Sequence, residues 1–224
     1  ELLHIPETEF LKSFEIVIQL GAILAVVLLY WRKLLLDWEL MKRVAVAFVP
    51  TGIIAFFFYG TIKSLLGSPL VVVLALGIGG IILILFERHH REPEGASEDL
   101  SVMPYMKAVK IGLFQAISII PGVSRSGATI VGGMLLGMSR ERIVEFSFLL
   151  AVPTMAAATG YDLLKNASAF STSDTAALLV GFAVSFFVAL LAVKLFLSFV
   201  RTHTFVPFGI YRIALALVFL LFVL

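Results

Sequence analysis

The chain contains no cysteine, which excludes disulfides and thiolate metal sites and leaves the redox compartment unread. Charge is scarce as well: Asp, Glu, Lys and Arg make up 14% of the residues, and the formal net charge is only +2 over 224 residues. Without a basic stripe or aromatic residues interleaved with basic ones, no nucleic-acid partner is expected. No stretch has the layout of a cleavable signal peptide. The four histidines, His4, His89, His90 and His203, show no metal-ligand spacing. What fills the chain instead is apolar: 60% of the residues are hydrophobic and the mean hydropathy is +1.06, well outside the range of soluble domains.

Six apolar runs, at 14–31, 44–62, 70–86, 144–163, 176–199 and 206–224, are long enough to cross about 30 Å of hydrocarbon. A seventh, 108–136, has the length of a span but is interrupted by Pro121-Gly122 and Gly127. Its two pieces of about a dozen residues are each too short to cross alone. Such a segment is a re-entrant hairpin or a broken helix lining a cavity.

The positive charges decide between these. With a re-entrant segment, Arg32, Lys33, Lys42, Arg43, Arg88, Arg91, Lys107, Arg140, Arg142 and Arg201 share one face, against Lys12, Lys63 and Lys165 on the other. A crossing segment would move Arg140, Arg142 and Arg201 to the second face and Lys165 to the first. The positive-inside rule favours the first division, with the hairpin entering from the cytoplasmic side.

Weak internal similarity recurs at a nearly constant offset. Leu2-Leu3 matches Leu135-Leu136, Phe14 matches Phe146, Ala47-Phe48-Val49 resembles Gly181-Phe182-Ala183, and Pro69 corresponds to Pro207. Each half carries three spans, an odd number, so the halves are expected to be inverted repeats. The expected organisation is a first repeat at 1–86, a cytoplasmic linker at 87–107 and a second repeat at 108–224, its hairpin at 108–136. The second half has 38 residues from Ala108 to Glu145 ahead of its Phe146, and the first has 13 ahead of Phe14. The symmetry therefore predicts an equivalent hairpin upstream of Glu1. The fold class is an all-α integral membrane protein, a polytopic helix bundle with inverted repeats and re-entrant helical hairpins.

Within the interrupted run, Pro121-Gly122-Val123-Ser124-Arg125-Ser126-Gly127-Ala128-Thr129 places a cation and three hydroxyls where lipid would penalise each. Ser-x-Ser-Gly-x-Thr opens a helix, whose first N–H groups and positive dipole end attract an anion, and arginine adds a donor fork suited to phosphate. Phosphoryl chemistry needs mainly positioning and charge neutralisation, which this set supplies. Arg125 and Ser124 are therefore assigned to catalysis, and Ser126, Gly127, Ala128 and Thr129 to phosphate binding, through the N–H groups of Gly127 and Ala128. Ser124 and Ser126, without an adjacent base, read as phosphate ligands rather than nucleophiles. At Thr129, capping or hydrogen bonding back to the helix competes equally with a ligand role. Glu15 and Gln19 lie four apart on one helix face and line a cavity or hold a metal; snorkelling of Glu15 to the interface is the equal alternative. Ser147 and Pro153 read as parts of a kinked packing helix. Lys194 and Arg212 read as near-interface anchors, with a cavity role the alternative. A transporter of anions or lipid phosphates, built on inverted repeats with half-helix ends aimed at the midplane, fits the same features.

Pro-Gly-Val-Ser-Arg-Ser-Gly-Ala-Thr-Ile (121–130) resembles a signature of the undecaprenyl-diphosphate phosphatases, the bacitracin-resistance family. Phe14-Glu15-Ile16-Val17-Ile18-Gln19-Leu20-Gly21, Glu145-Phe146-Ser147-Phe148-Leu149-Leu150-Ala151-Val152-Pro153, and Phe205-Val206-Pro207-Phe208 ahead of Tyr211-Arg212 resemble that family too. The resemblance implies an integral-membrane hydrolase that removes the terminal phosphate of undecaprenyl diphosphate, recycling the lipid carrier for cell-wall synthesis. It further implies a divalent cation, Mg or Ca, and a polyprenyl diphosphate partner. The bacterial plasma membrane, a site open to the extracytoplasmic side and a homodimer are compatible with it. By the resemblance Arg125 contacts the phosphate, with Ser124, Ser126 and Thr129 around it. The family's glutamate-rich helix and Ser-Ser-Thr-Gly-His signature, its candidates for metal binding, match no residues of this sequence and are expected in the upstream segment.

Overall fold

In lipid a backbone must satisfy its own hydrogen bonds, so apolar runs of this length fold as helices. The computed structural model describes residues 8–66, 68–90, 99–165 and 175–222. His4, Arg91 and residues 223–224 lie outside them, as do the side chains of Lys63 and Lys165. The helices are α1 (Glu9–Leu36), α2 (Trp38–Phe57), α3 (Tyr59–Leu66), α4 (Pro69–His89), α5 (Tyr105–Ala116), α6 (Arg125–Leu135), α7 (Arg140–Lys165), α8 (Thr175–Val200) and α9 (Val206–Phe222). No strand occurs among the described residues. α1, α2, α4, α7 and α8 are long and apolar enough to cross a membrane, and α9 is a shorter apolar helix. The fold is all-α and polytopic.

Two span boundaries differ from expectation. α1 outruns the 14–31 run because its polar flanks are also helical; Thr8 caps it by accepting from the Leu11 N–H at 3.1 Å. Its dihedrals leave the helical range at Tyr30 (φ −113°, ψ 17°), one residue before the expected end. The run at 44–62 is not one helix: α2 stops at Phe57 and α3 starts at Tyr59.

The chain divides into two compact units, Glu1–Trp38 with Phe148–Phe196, and Glu39–Ser147 with Leu197–Leu224. In the first, α1 and α8 approach closely at two glycines. A Cβ on Gly21 would run into Phe182 O and Ser185 Oγ, and one on Gly181 into the Phe14 ring. Small residues let backbones meet where lipid supplies no hydrophobic drive between helices. Ile16, Ala25, Val26 and Leu178 are buried, while Leu179, Val184, Phe187, Leu191 and Leu195 of α8 are exposed. An apolar exposed face of that extent is a surface for acyl chains.

In the second unit α4 and α9 meet at Gly80 and Gly209, each positioned so that an added Cβ would strike the other's carbonyl. Glu87, at the end of α4, is buried and doubly used. Its Oε2 pairs with Arg140 Nη2 at 3.0 Å, and its Oε1 accepts the Phe205 N–H at 3.1 Å, just ahead of α9. A buried carboxylate with both oxygens satisfied ties the ends of α4, α7 and α9 together. The interrupted run forms two half-helices, α5 of 12 residues and α6 of 11. At 1.5 Å per residue neither exceeds about 18 Å, short of a crossing.

Candidate active site at the hairpin tip

The tip is built by Pro121-Gly122. The Val123 N–H donates to Ile120 O at 3.1 Å, and Gly122 has φ +89°. Proline at the second position and a positive φ at the third define a type II turn, for which glycine is the natural residue. Gly122 has a second reason to be glycine, since a Cβ there would collide with Val72 O of α4. The turn reverses the chain, and α6 packs back on α5, with Gly132 making room for the Phe114 ring.

Ser124 is the N-cap of α6. Its backbone is extended (φ −71°, ψ 121°), and its Oγ accepts the Gly127 N–H at 3.1 Å. The Ala128 N–H donates to Ser124 O at 2.9 Å, the first bond of the helix. The donors expected to meet phosphate at Gly127 and Ala128 are therefore occupied, because the helix starts at Arg125, not later. The Ser126 N–H, at the second helical position, has no acceptor among the described residues. The Ser126 side chain is exposed, and its Oγ lies 3.3 Å from Ser124 Oγ. One donor without an acceptor, two hydroxyls 3.3 Å apart and the positive helix end thus lie together at the start of α6.

Behind this surface sits a buried tie. Thr129 is 0% exposed. Its Oγ1 lies 3.1 Å from Arg125 O, 2.9 Å from Ser126 O and 2.8 Å from Ser147 Oγ on α7. A hydroxyl with one proton serves this set by donating to the helix and accepting from Ser147. Thr129 thus bonds back to its own helix, the alternative set beside a ligand role, and is buried behind the exposed Ser126. Ser147 also uses its carbonyl, which accepts from Arg125 Nη1 at 2.9 Å. It is a fastening point for Arg125 rather than a mere packing residue. A guanidinium carries five donors in a plane, so anchoring at Nη1 is compatible with a two-pronged grip on phosphoryl oxygens.

The arms of the hairpin are fixed too. On α5, Gly112 abuts Ala47 O, and its carbonyl accepts from Thr51 Oγ1 at 2.9 Å; Gln115 Nε2 donates to the same hydroxyl at 2.9 Å. α6 ends in a Schellman motif: Met138 N–H to Gly133 O and Gly137 N–H to Met134 O, both at 3.0 Å, with Gly137 at φ +79°.

Arg212 is placed differently from expectation. It is no interface anchor: Nη2 donates to Gly122 O at 3.0 Å and to Ala75 O at 3.4 Å, and its side chain lies against Gly79. A lone cation in an apolar helix looks like a snorkelling anchor, and nothing in the α9 sequence reveals its partners. Lys194 is exposed on α8. Glu15 and Gln19, in the other unit, are exposed, and Gln19 Oε1 accepts from Thr159 Oγ1 at 3.0 Å.

Two hydroxyls beside a guanidinium do not fit a divalent cation, which takes carboxylate and carbonyl oxygens. Among the described residues no group of three His, Asp or Glu side chains could hold a metal ion.

Residues 1–218 match the profile of the bacitracin resistance protein BacA family. The chain is 53% identical over 220 residues to an undecaprenyl-diphosphatase of Sulfurihydrogenibium sp., covering 98% of this chain and 86% of that protein. It is 52% identical over 224 residues to an undecaprenyl-diphosphatase of Persephonella marina, covering 100% of this chain and 88% of that one. To an undecaprenyl-diphosphatase of Thermus thermophilus it is 47% identical, covering 99% and 85%.

Proposed function

We infer the function from the premise that the chain belongs to the bacitracin resistance protein BacA family. It is a multi-pass membrane undecaprenyl-diphosphatase. It hydrolyses undecaprenyl diphosphate to undecaprenyl phosphate and inorganic phosphate, which returns the lipid carrier to cell-wall synthesis and confers resistance to bacitracin. Kinship over nearly the whole chain carries this conclusion. No observation favours the transporter reading.

For the site residues, the geometry supports the following reading. Arg125, fastened through Nη1 to Ser147 O, turns its guanidinium to the terminal phosphate. The Ser126 N–H and hydroxyl and the positive end of α6 share the load. These groups neutralise the oxygens that gain charge as water adds to phosphorus and the bridging P–O bond breaks toward the lipid phosphate. Ser124 serves as cap and lines the site; its Oγ is already an acceptor for Gly127 N–H. The divalent cation belongs to this proposal as well, on carboxylates other than the tip residues. So does the placement: bacterial inner membrane, basic loops and linker cytoplasmic, site open to the opposite face.

The test is release of inorganic phosphate from undecaprenyl diphosphate by the full-length protein in detergent. Release is expected, and Arg125→Ala should abolish it while the protein stays monodisperse. Undiminished release from that variant would overturn the site assignment. Transfer of the lipid across vesicles without phosphate release would overturn the hydrolase.

A further inference from the structure

We propose that Arg212 is a positioning residue for the catalytic hairpin, holding its tip in register through the Gly122 carbonyl. The inference rests on the hydrolase reading above and deepens it. Arg212 lies in the apolar sequence Gly209-Ile210-Tyr211-Arg212-Ile213-Ala214 of α9, where a cation is costly and calls for a specific reason. The reason is in the turn. The Ile120 carbonyl is satisfied by the Val123 N–H, whereas the Gly122 carbonyl has no partner within the turn. An unsatisfied carbonyl in an apolar setting is strongly disfavoured. Arg212 Nη2 supplies the missing donor at 3.0 Å, and its second hydrogen reaches Ala75 O of α4 at 3.4 Å.

The surroundings are shaped for this contact. A Cβ on Gly79 would come within 2.6 Å of Arg212 Nη2, and Gly80 lets the α9 backbone approach α4. Gly122 itself rests on Val72 O, so three glycines lie along one arginine side chain, Gly80 at its Cβ and Gly79 and Gly122 at its guanidinium. Gly122 is two residues from Ser124 and three from Arg125. The bond therefore fixes the start of α6 from the tip side, as Ser147 fixes it from α7. Arg212 acts through the backbone and need not touch substrate.

The experiment exploits the absence of cysteine from these 224 residues. Val123→Cys in the full-length protein, with any cysteine outside these residues replaced by serine, places a single nitroxide on the tip, and its spectrum reports tip mobility beside the kinetics of phosphate release. With Arg212→Met added, the label should become more mobile and kcat should fall by about 100-fold, with KM changed far less. Arg212→Lys, which retains a donor, should be intermediate in both. A rigid tip with lost activity would overturn the proposal and make Arg212 a substrate ligand. A loosened tip with full kcat would overturn it, as would no change in either. If Arg212→Met does not fold, the lysine variant carries both readouts. Should the unmutated protein release no phosphate, the hydrolase reading fails, while the mobility readout still decides whether Arg212 holds the tip.

Discussion

Where α1 meets α8, the backbones come together at Gly21 and Gly181 against side chains and a carbonyl. Around the hairpin, glycines are joined by directional bonds: Gln115 to Thr51, Thr129 to Ser147, Arg125 to Ser147, and Arg212 to Gly122 and Ala75. Close packing through small residues sets distance but tolerates sliding, whereas hydrogen bonds between elements set register. A site that must hold its groups to within about half an ångström needs the second kind of support. The hairpin is thus a rigid instrument, and the α1–α8 packing is a membrane scaffold.

Substitutions can break or sharpen that contrast. The largest effect is expected at the chemistry: Arg125→Ala should lower kcat by about 10³-fold or more, measured as phosphate release. Next comes Gly122→Ala, which forces a side chain into positive φ and against Val72 O. Both kcat, by about 100-fold, and stability, by about 2 kcal/mol, should suffer, the latter read by thermal unfolding in detergent. Thr129→Val removes the buried tie and should cost about 1–3 kcal/mol. In a double-mutant cycle with Ser147→Ala the two losses should not add; full additivity would show that the tie does not act as a unit. Smallest in catalysis is Gly21→Ala. It should destabilise the protein by about 1–3 kcal/mol through its clash with Phe182 O, yet leave the kcat of folded protein unchanged. An effect on kcat to rival that of Gly122→Ala would erase the distinction between instrument and scaffold.

Much of the architecture was legible because hydropathy is a strong signal. α4, α7 and α8 lie within a few residues of their apolar runs. The stop of α2 at Phe57 was not, since Phe56-Phe57-Phe58-Tyr59 is apolar on both sides of the break. At the site, Pro-Gly announced the turn, and arginine with hydroxyls announced the helix start. Which serine caps the helix was not readable, and that one-residue choice decides which N–H groups remain for an anion. Thr129 looks like a ligand in sequence because it stands one turn from Arg125. Only the fold shows that turn facing α7. Arg212 was misjudged for a similar reason, its partners being 90 and 137 residues away.

The short reach of α5 has a further consequence. Twelve residues carry the turn about 18 Å from the start of the half-helix, so on the proposed placement the scissile bond lies well below the headgroups. Each turnover consumes one water molecule, and at a site so placed that molecule would have to be delivered where the surrounding medium contains almost none. The exposed Ser126 marks where this wetting has to reach. Hydration of the protein interior, as much as the affinity for lipid, is then a quantity that bilayer thickness and acyl packing would control. Phosphate release should accordingly respond to the thickness of the membrane in which the enzyme is reconstituted.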